Sequence, residues 1–287
     1  YFFRDFEKMP SIEKKALELA RGKILDVGCG TGSHSLYLQN LCNRNVTALD
    51  VSEGAIYVAE KRGVKKTKHI SIWDFEETGF ETILLLMNGM GIGKTIAKLP
   101  KLLKHLKKLI AAEGKILVDS SDLIYLFEKE DIALWKEDKT YYGEVDFGIR
   151  FQGKSEEFPW LYIDPKTLEK VSKSCGFQFI IIEQGENFDF LAQLSSSSSN
   201  ILQPIAAVAG PIPHRLSQAP ARATIPQEQP SSVDWLEVLD DNVPSVLLVN
   251  ITPPHFIQAQ LEVSDPVAGV EERGSLALLD QLSFQFF

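Results

Sequence analysis

The sequence predicts an α/β protein whose parallel sheet is covered by helices on both faces. Two observations support this fold class. Short apolar runs alternate with helical patterns along the first 120 residues, and each run is almost continuously apolar, as expected for strands buried on both faces. In addition, a glycine-rich segment follows the first run and leads into a helical pattern, which is typical of a ligand-binding turn in such sheets.

The elements follow one another in a regular order. The first helix is predicted at 10–22, with Pro10 and Ser11 at its start and Gly22 at its end. The five strands that follow are predicted at 23–27, 45–51, 68–73, 81–87 and 115–121. The intervening helices are predicted at 31–41, 53–63 and 99–114.

The alternation of strands and helices ends after the fifth strand. Two aromatic-rich segments, 141–153 and 157–164, predict a hairpin or a small insertion. A helix at 165–176 and strands at 177–183 and 188–195 complete the pattern. Because only a short turn separates these last two strands, they are expected to pair antiparallel.

The composition divides the chain into three parts. Residues 1–195 form the α/β domain, 196–231 a Ser/Pro-rich linker, and 232–287 a small C-terminal segment of unknown role with enough apolar residues for two strands and a short helix. Residues 196–287 hold ten acidic residues, three arginines and no lysine, and so carry −7 of the net charge of −9. The chain starts at Tyr1 rather than Met, so a preceding segment is expected.

Composition also gives expectations about the cellular location, the metal content and the partners of the protein. No apolar run is long enough to cross a bilayer, and the start lacks the apolar core of a signal peptide. The three cysteines, Cys29, Cys42 and Cys175, show neither zinc-site spacing nor a disulfide framework, which favours a reducing cytoplasm and no metal. The acidic net charge argues against a nucleic-acid partner.

The glycine-rich turn, GCGTG, lies between the first strand and the second helix. Asp26 ends the strand, and Gly28, Gly30 and Gly32 permit a tight turn whose backbone approaches a ligand closely. A dinucleotide fold needs G-x-G-x-x-G and binds pyrophosphate at the helix N-terminus. Here the spacing is G-x-G-x-G, and the preceding acid would repel pyrophosphate but suit an ammonium-bearing ligand.

Two further acids follow the next two strands. Asp50 ends the second strand, where a carboxylate accepts both hydroxyls of a ribose. Asp74 follows the third strand and is placed to accept from an adenine amino group, with Ile72 and Trp73 beside the ring. A ligand with an amino-acid end, a ribose and an adenine, and without phosphate, satisfies all three acids.

These motifs, ILDVGCGTG, ALDVS and WDF, resemble those of the class I S-adenosylmethionine-dependent methyltransferases. Residues 1–195 are similar to small bacterial enzymes of that superfamily, whose fold is a seven-stranded Rossmann-like sheet with an antiparallel last strand. The resemblance implies a cofactor site, with the methionine part on the glycine turn, the ribose on Asp50 and the adenine on Asp74. The residues it assigns to cofactor binding are Asp26, Gly28, Cys29, Gly30, Gly32, Asp50, Val51, Trp73, Asp74 and Asn88.

The methyl acceptor and the catalytic groups are less defined. Asn88 follows the fourth strand, where the family places residues facing the acceptor, but the segment NGMG lacks the Pro-Pro-aromatic sequence of amino-methylating DNA enzymes. Tyr141 and Tyr142 lie in the insertion that often builds the acceptor pocket, or form a local core. Other open candidates are His34, Asp119, Asp122 and Glu144.

The sequence therefore predicts S-adenosylmethionine-dependent methyl transfer to a small-molecule acceptor by in-line displacement. Two alternatives stay open: an NAD(P)-dependent oxidoreductase on a similar sheet, and a non-catalytic protein that binds the cofactor as a scaffold. The segment GIGKT, 91–95, lacks the first glycine of a phosphate-binding loop because Asn88 occupies that position. Neither the acceptor, a general base nor the oligomeric state follows from the sequence.

Overall fold

A central sheet of seven strands organises the protein. The computed structural model describes residues 3–127, 141–151, 154–185, 188–196, 246–252 and 256–262, which belong to one compact unit. The strands of the sheet are β1 (Lys23–Val27), β2 (Asn45–Asp50), β3 (Thr67–His69), β4 (Phe80–Leu85), β5 (Ile110–Ser121), β8 (Phe177–Gln184) and β9 (Asp189–Ser196), in the order β3-β2-β1-β4-β5-β9-β8. Strand β9 runs antiparallel to both of its neighbours, and the other pairings are parallel. The predicted fold class is confirmed.

Five α-helices flank this sheet in the described residues. They are α1 (Ser11–Leu19), α2 (Ser33–Asn40), α3 (Glu53–Lys61), α4 (Leu99–Leu109) and α5 (Pro165–Ser174). Side-chain caps mark two of the starts: Ser52 Oγ accepts from the Ala55 N–H at 3.1 Å, and Asp164 accepts from the N–H groups of Lys166 and Thr167. None of these helices is long and apolar enough to span a membrane.

The core lies on both faces of the sheet, as a doubly wound fold requires. On one face, Leu25 of β1 and Ile83 of β4 pack against leucines of α4. On the other face, Ile24 of β1 and Leu84 of β4 pack with Ala16 and Leu17 of α1. Neighbouring strand residues therefore alternate between two cores, which explains why the strands are apolar throughout.

A second sheet joins the predicted hairpin to the C-terminal segment. Strands β6 (Glu144–Phe151) and β7 (Lys154–Leu161) pair antiparallel, as predicted. Two more strands, β10 (Val246–Thr252) and β11 (Phe256–Glu262), pair with each other, and β11 adds parallel to β6. The predicted linker and the rest of the C-terminal segment lie outside the described residues.

Several predicted boundaries differ from the structure, and two of them are wrong in the type of element. The helix expected over 99–114 ends at Leu109, and Ile110 begins β5 by pairing with Phe80. The strand expected over 68–73 stops at His69, and Ile72–Asp74 forms a 3₁₀ turn in which the Trp73 N–H donates to the Ser71 hydroxyl. In both cases the sequence carries strand-like residues, and the pairing partner decides where the strand lies.

Candidate active site

The glycine turn folds back onto the end of β2. The N–H groups of Gly28 and Cys29 both donate to the Leu49 carbonyl, at 2.8 and 3.0 Å. Gly28, Gly30 and Gly32 have φ values of +70°, +54° and +82°, which side chains rarely adopt. A Cβ atom on Gly28 would point into open space, whereas one on Gly32 would lie 2.6 Å from a Val64 methyl. Gly28 therefore leaves room for a ligand, and Gly32 lets α2 pack closely against its neighbours.

Asp50 closes the turn from the β2 side. One carboxylate oxygen accepts from Gly30 N–H at 2.8 Å and the other from Ser52 N–H at 2.9 Å. The residue is 1% exposed, and burial raises its pKa to about 6 despite these two bonds. The Val51 N–H also contributes a hydrogen bond to Asp50, so this carboxylate fixes the backbone of the turn.

Asp26 and Cys29 lie beside Asp50 in the same buried turn. Asp26 accepts from the Ser35 hydroxyl at 2.6 Å, and burial raises its pKa, opposed by the nearby His34 and by this bond. Burial, together with the charges of Asp50 and Asp26, also raises the pKa of the Cys29 thiol, which is therefore neutral. The structure thus brings together the first two predicted acids.

The third predicted acid lies at the far side of β2. Asp74 is exposed on the 3₁₀ turn, next to a partly buried Trp73. The Lys101 ammonium lies 5.3 Å from the centre of the Trp73 ring. At the end of β2, the Val51 carbonyl accepts from the His69 ring at 2.9 Å. This arrangement offers a half-open aromatic face and a solvated carboxylate, as an adenine ring would need.

A different environment surrounds Asn88, after β4. Met87 and Asn88 both have positive φ, at 59° and 58°, in the left-handed region that non-glycine residues seldom adopt. The Asn88 N–H donates to Asp119 of β5 at 2.8 Å. Burial, with the charge of Glu13, raises the pKa of Asp119 to about 7. Asp119 and Asn88 line a cavity of about 140 Å³ between the start of α1 and the ends of β4 and β5.

A buried charge network that the sequence did not reveal lies beside this cavity. Glu13 of α1 is 2% exposed and accepts hydrogen bonds from Arg4 and from His34 Nε2, the latter at 2.7 Å. Burial opposes ionisation of Glu13, but His34 and Arg4 lower its pKa. Burial likewise opposes protonation of His34, yet the bond and charge of Glu13 raise its pKa. His34 is therefore a buried partner of Glu13.

The two tyrosine candidates are engaged away from that cavity. Tyr141 donates to Asp164, at the start of α5, at 2.7 Å and accepts from the N–H of the same residue. Tyr142 donates to Asp122 at 2.6 Å. Burial, followed by these carboxylates, raises the pKa of Tyr142, and burial raises that of Tyr141. Both are held as neutral hydrogen-bond donors, and neither lines the cavity beside Asn88.

Two other candidates have structural partners. Glu144 accepts from the Ile96 N–H at 2.8 Å, and Asp122 caps the turn at Leu123–Leu126. In the GIGKT segment, a Cβ atom on Gly91 would lie 1.9 Å from the Trp160 ring of β7, so this glycine is needed for packing. The segment forms the end of a 3₁₀ helix, Gly89–Gly93, rather than a phosphate-binding loop.

Comparisons with known proteins agree with this geometry. The family described as "Methyltransferase domain" matches residues 24–114. A solved structure from Bacteroides fragilis, a SAM-dependent methyltransferase in complex with S-adenosyl-L-homocysteine, is 39% identical with a TM-score of 0.61. The match covers 68% of this chain and 80% of that one. An uncharacterised protein of Synechococcus is 45% identical over 49 residues, or 17% of this chain, and the match spans 12% of that relative.

Proposed function

We propose, from the premise that the chain belongs to the SAM-dependent methyltransferases, that it transfers a methyl group from S-adenosylmethionine to a small-molecule acceptor. The similarity to the Bacteroides fragilis enzyme, which carries S-adenosylhomocysteine, supports this proposal most directly. The family membership predicted from the sequence is confirmed, and neither alternative class gains support.

The residues of the turn fit this cofactor. Gly28 leaves open space over the turn, the Asp50 carboxylate lies beside the turn and accepts from Gly30 N–H, and the Trp73 side chain is partly exposed. We assign the methionine end to the turn with Asp26, the ribose to Asp50 with Val51, and the adenine to Trp73 with Asp74. When bound, S-adenosylmethionine supplies an activated methyl group on its sulfonium. The protein's own task is then to hold the acceptor in line and to exclude water.

Several features support a small acceptor in a reducing compartment. The cavity beside Asn88 has a volume of about 140 Å³, too small for a flipped base with its backbone. The acidic net charge of −9 is unfavourable for a polyanion. The cysteines Cys29, Cys42 and Cys175 are free thiols, as is usual in the cytoplasm, and both relatives described above come from bacteria. We therefore place the reaction in a bacterial cytoplasm.

The division of the chain is part of the same proposal. We assign methyl transfer to 1–195, a connecting role to 196–231, and no chemical role to 232–287. Limited proteolysis of the full chain should cleave first between 196 and 231 and leave a fragment that still binds S-adenosylhomocysteine. Cleavage that starts within 1–195 would contradict this division.

Thermal unfolding with a panel of ligands tests the proposed cofactor. The panel is S-adenosylmethionine, S-adenosylhomocysteine, NAD(P)H and ATP, each added to the full chain. A ligand at 100 times its Kd stabilises the folded state by about 2.7 kcal/mol, which raises the melting temperature measurably. Stabilisation by the first two alone is expected. A response to NAD(P)H or ATP instead would mean that Asp26 and its turn bind another nucleotide.

A further inference from the structure

The cavity at the ends of β4 and β5 has the size of a small functional group. Its volume is about 140 Å³. For comparison, an apolar cavity of about 150 Å³ in another protein holds a benzene ring. Because the cavity lies beside Asn88, past the carboxyl end of β4, it adjoins the side of the sheet where the glycine turn holds the methyl donor.

The walls of this cavity offer hydrogen-bond acceptors and negative charge. Carboxylates come from three elements: Glu13 of α1, Asp119 of β5 and Asp189 of β9. The Ser120 hydroxyl oxygen accepts from the Ile163 N–H at 3.0 Å. Neither lysine nor arginine lines the cavity among the described residues. Arg4 and His34 reach Glu13 but are not part of the lining.

Asn88 provides an independent sign that a donor is expected here. Its Oδ1 atom is buried and has no hydrogen-bond partner among the described residues. A buried carbonyl oxygen left unpaired costs about 1–3 kcal/mol, so we expect this residue to gain a hydrogen-bond donor when a ligand binds. Met87 and Asn88, both with positive φ, line the cavity together.

We propose that the methyl acceptor is a small primary amine, which enters this cavity as an ammonium and is held by Asp119 and the Asn88 Oδ1 atom. The inference rests on the proposed function. An ammonium offers three donors and a positive charge, and its bonds to a carboxylate are about twice as strong as neutral ones. A carboxylate acceptor would lie beside Asp119 and Asp189 with no lysine or arginine in the described lining, and a neutral alcohol would offer only one donor to these acceptors.

In the proposed reaction, Asp119 takes up the proton that the ammonium must lose before it can be methylated. The ammonium loses one proton to the Asp119 carboxylate, which frees the nitrogen lone pair. That lone pair forms the new N–C bond while the S–C bond of the methyl donor breaks and its electron pair stays on sulfur. The product is a methylammonium ion and a neutral thioether, and the proton on Asp119 then passes to solvent. A carboxyl group with a pKa of about 7 is suited to this exchange near neutral pH.

Three four-carbon probes of matched size test the proposal. The full chain is first saturated with S-adenosylhomocysteine, as established by its own titration, and then titrated with n-butylamine, n-butanol or butyrate. We expect n-butylamine to bind at least tenfold more tightly than the other two. Asp119→Asn should weaken n-butylamine binding at least tenfold, and Asp189→Asn should weaken it about threefold. Asp146→Asn, an exposed change on β6, serves as the control and should leave it unchanged.

The outcomes separate this inference from the function it rests on. Equal or tighter binding of butyrate or n-butanol, or no binding of n-butylamine while S-adenosylhomocysteine binds normally, overturns the amine proposal alone. Failure of S-adenosylhomocysteine to bind overturns the proposed function and this inference with it. If Asp119→Asn does not fold, Asp189→Asn decides: an unchanged n-butylamine affinity there contradicts the charged wall.

Discussion

Two regions at the carboxyl ends of the parallel strands differ in how their buried carboxylates are hydrogen-bonded. At the loop edge, formed by the ends of β1 and β2, the Asp26 and Asp50 side chains accept from a hydroxyl and from two backbone N–H groups. At the cavity edge, formed by the ends of β4 and β5, Asp119 accepts from the backbone but also borders open volume, and the Asn88 Oδ1 atom lacks a partner among the described residues.

The difference shows how binding and chemistry divide within the molecule. The loop edge is preorganised, because its carboxylates fix the turn, which we propose holds the methyl donor, even without a ligand. The cavity edge keeps unused acceptors and a raised pKa, which are typical of a site where a proton moves. Substitutions should therefore separate three effects: stability from the charge network, donor affinity from the loop edge, and acceptor affinity from the cavity edge.

The largest expected effect is a loss of stability when the buried network of Arg4, Glu13 and His34 is broken. Arg4→Met removes one partner of a buried ion pair and should lower the free energy of unfolding by about 3–5 kcal/mol. Lys15→Met, which removes an exposed pair with Glu18 on the same helix, should cost about 0–1 kcal/mol. Urea denaturation measures both. Equal small effects would mean that Arg4 is not needed to hold Glu13 at the cavity.

The next effect should be confined to the loop edge. Asp50→Ala removes the acceptor of the Gly30 and Ser52 N–H groups and the proposed ribose partner. We expect the affinity for S-adenosylhomocysteine to fall on the order of 100-fold, or about 2.7 kcal/mol, by calorimetry. Asp146→Asn on β6 is the control and should not alter it. An unchanged affinity for Asp50→Ala would remove Asp50 from the cofactor site.

Substitutions at two glycines should distinguish a role in ligand binding from a role in packing. Gly91→Ala places a Cβ atom within the Trp160 ring and should destabilise the fold by about 1–3 kcal/mol, with little change in the affinity for S-adenosylhomocysteine. Gly28→Ala meets no neighbour, so its backbone strain should cost about 1–2 kcal/mol, and it should also weaken that affinity. Melting temperature and calorimetry together distinguish the two. Weakened binding in Gly91→Ala alone would reverse the assignment.

The smallest effect concerns pH at the cavity edge. The pKa of Asp119 in the folded protein, about 7, lies above that of an unfolded aspartate, about 3.9. Its contribution to stability is therefore full below pH 4 and lost as the pH rises through 7. Glu13 and His34 are the charged groups that act on it. Asp119→Asn should remove this loss.

Melting temperatures at pH 5 and pH 8 test this prediction. At pH 8 we expect Asp119→Asn to melt about 2–4 °C above the wild type, which corresponds to about 1 kcal/mol. At pH 5 this difference should be smaller, because Asp119 is protonated in the folded protein and only part of its contribution to stability has been lost. An equal difference between variant and wild type at both pH values would contradict the raised pKa of Asp119.

The sequence predicted the loop edge better than the cavity edge, for a physical reason. Asp26 and Asp50 lie at the ends of β1 and β2 next to the glycine turn, so local patterns predict that they lie together, whereas Asp74 lies on a 3₁₀ turn beyond the end of β3. Glu13 lies among lysines in an amphipathic helix and reads as a surface residue. Its burial depends on Arg4, which lies before the first helix, and on His34 of α2, and no local pattern indicates either partner. Likewise, the role of Gly91 depends on Trp160, 69 residues away, which no local signal reveals.

We infer that the loop edge binds the methyl donor independently of the cavity edge. Calorimetric titration of S-adenosylhomocysteine into the wild type, Asp50→Ala and Asp119→Asn tests it in one experiment. We predict an affinity about 100-fold lower in Asp50→Ala and within about threefold of the wild type in Asp119→Asn. Equal losses in both variants, or a loss in Asp119→Asn alone, would contradict the account.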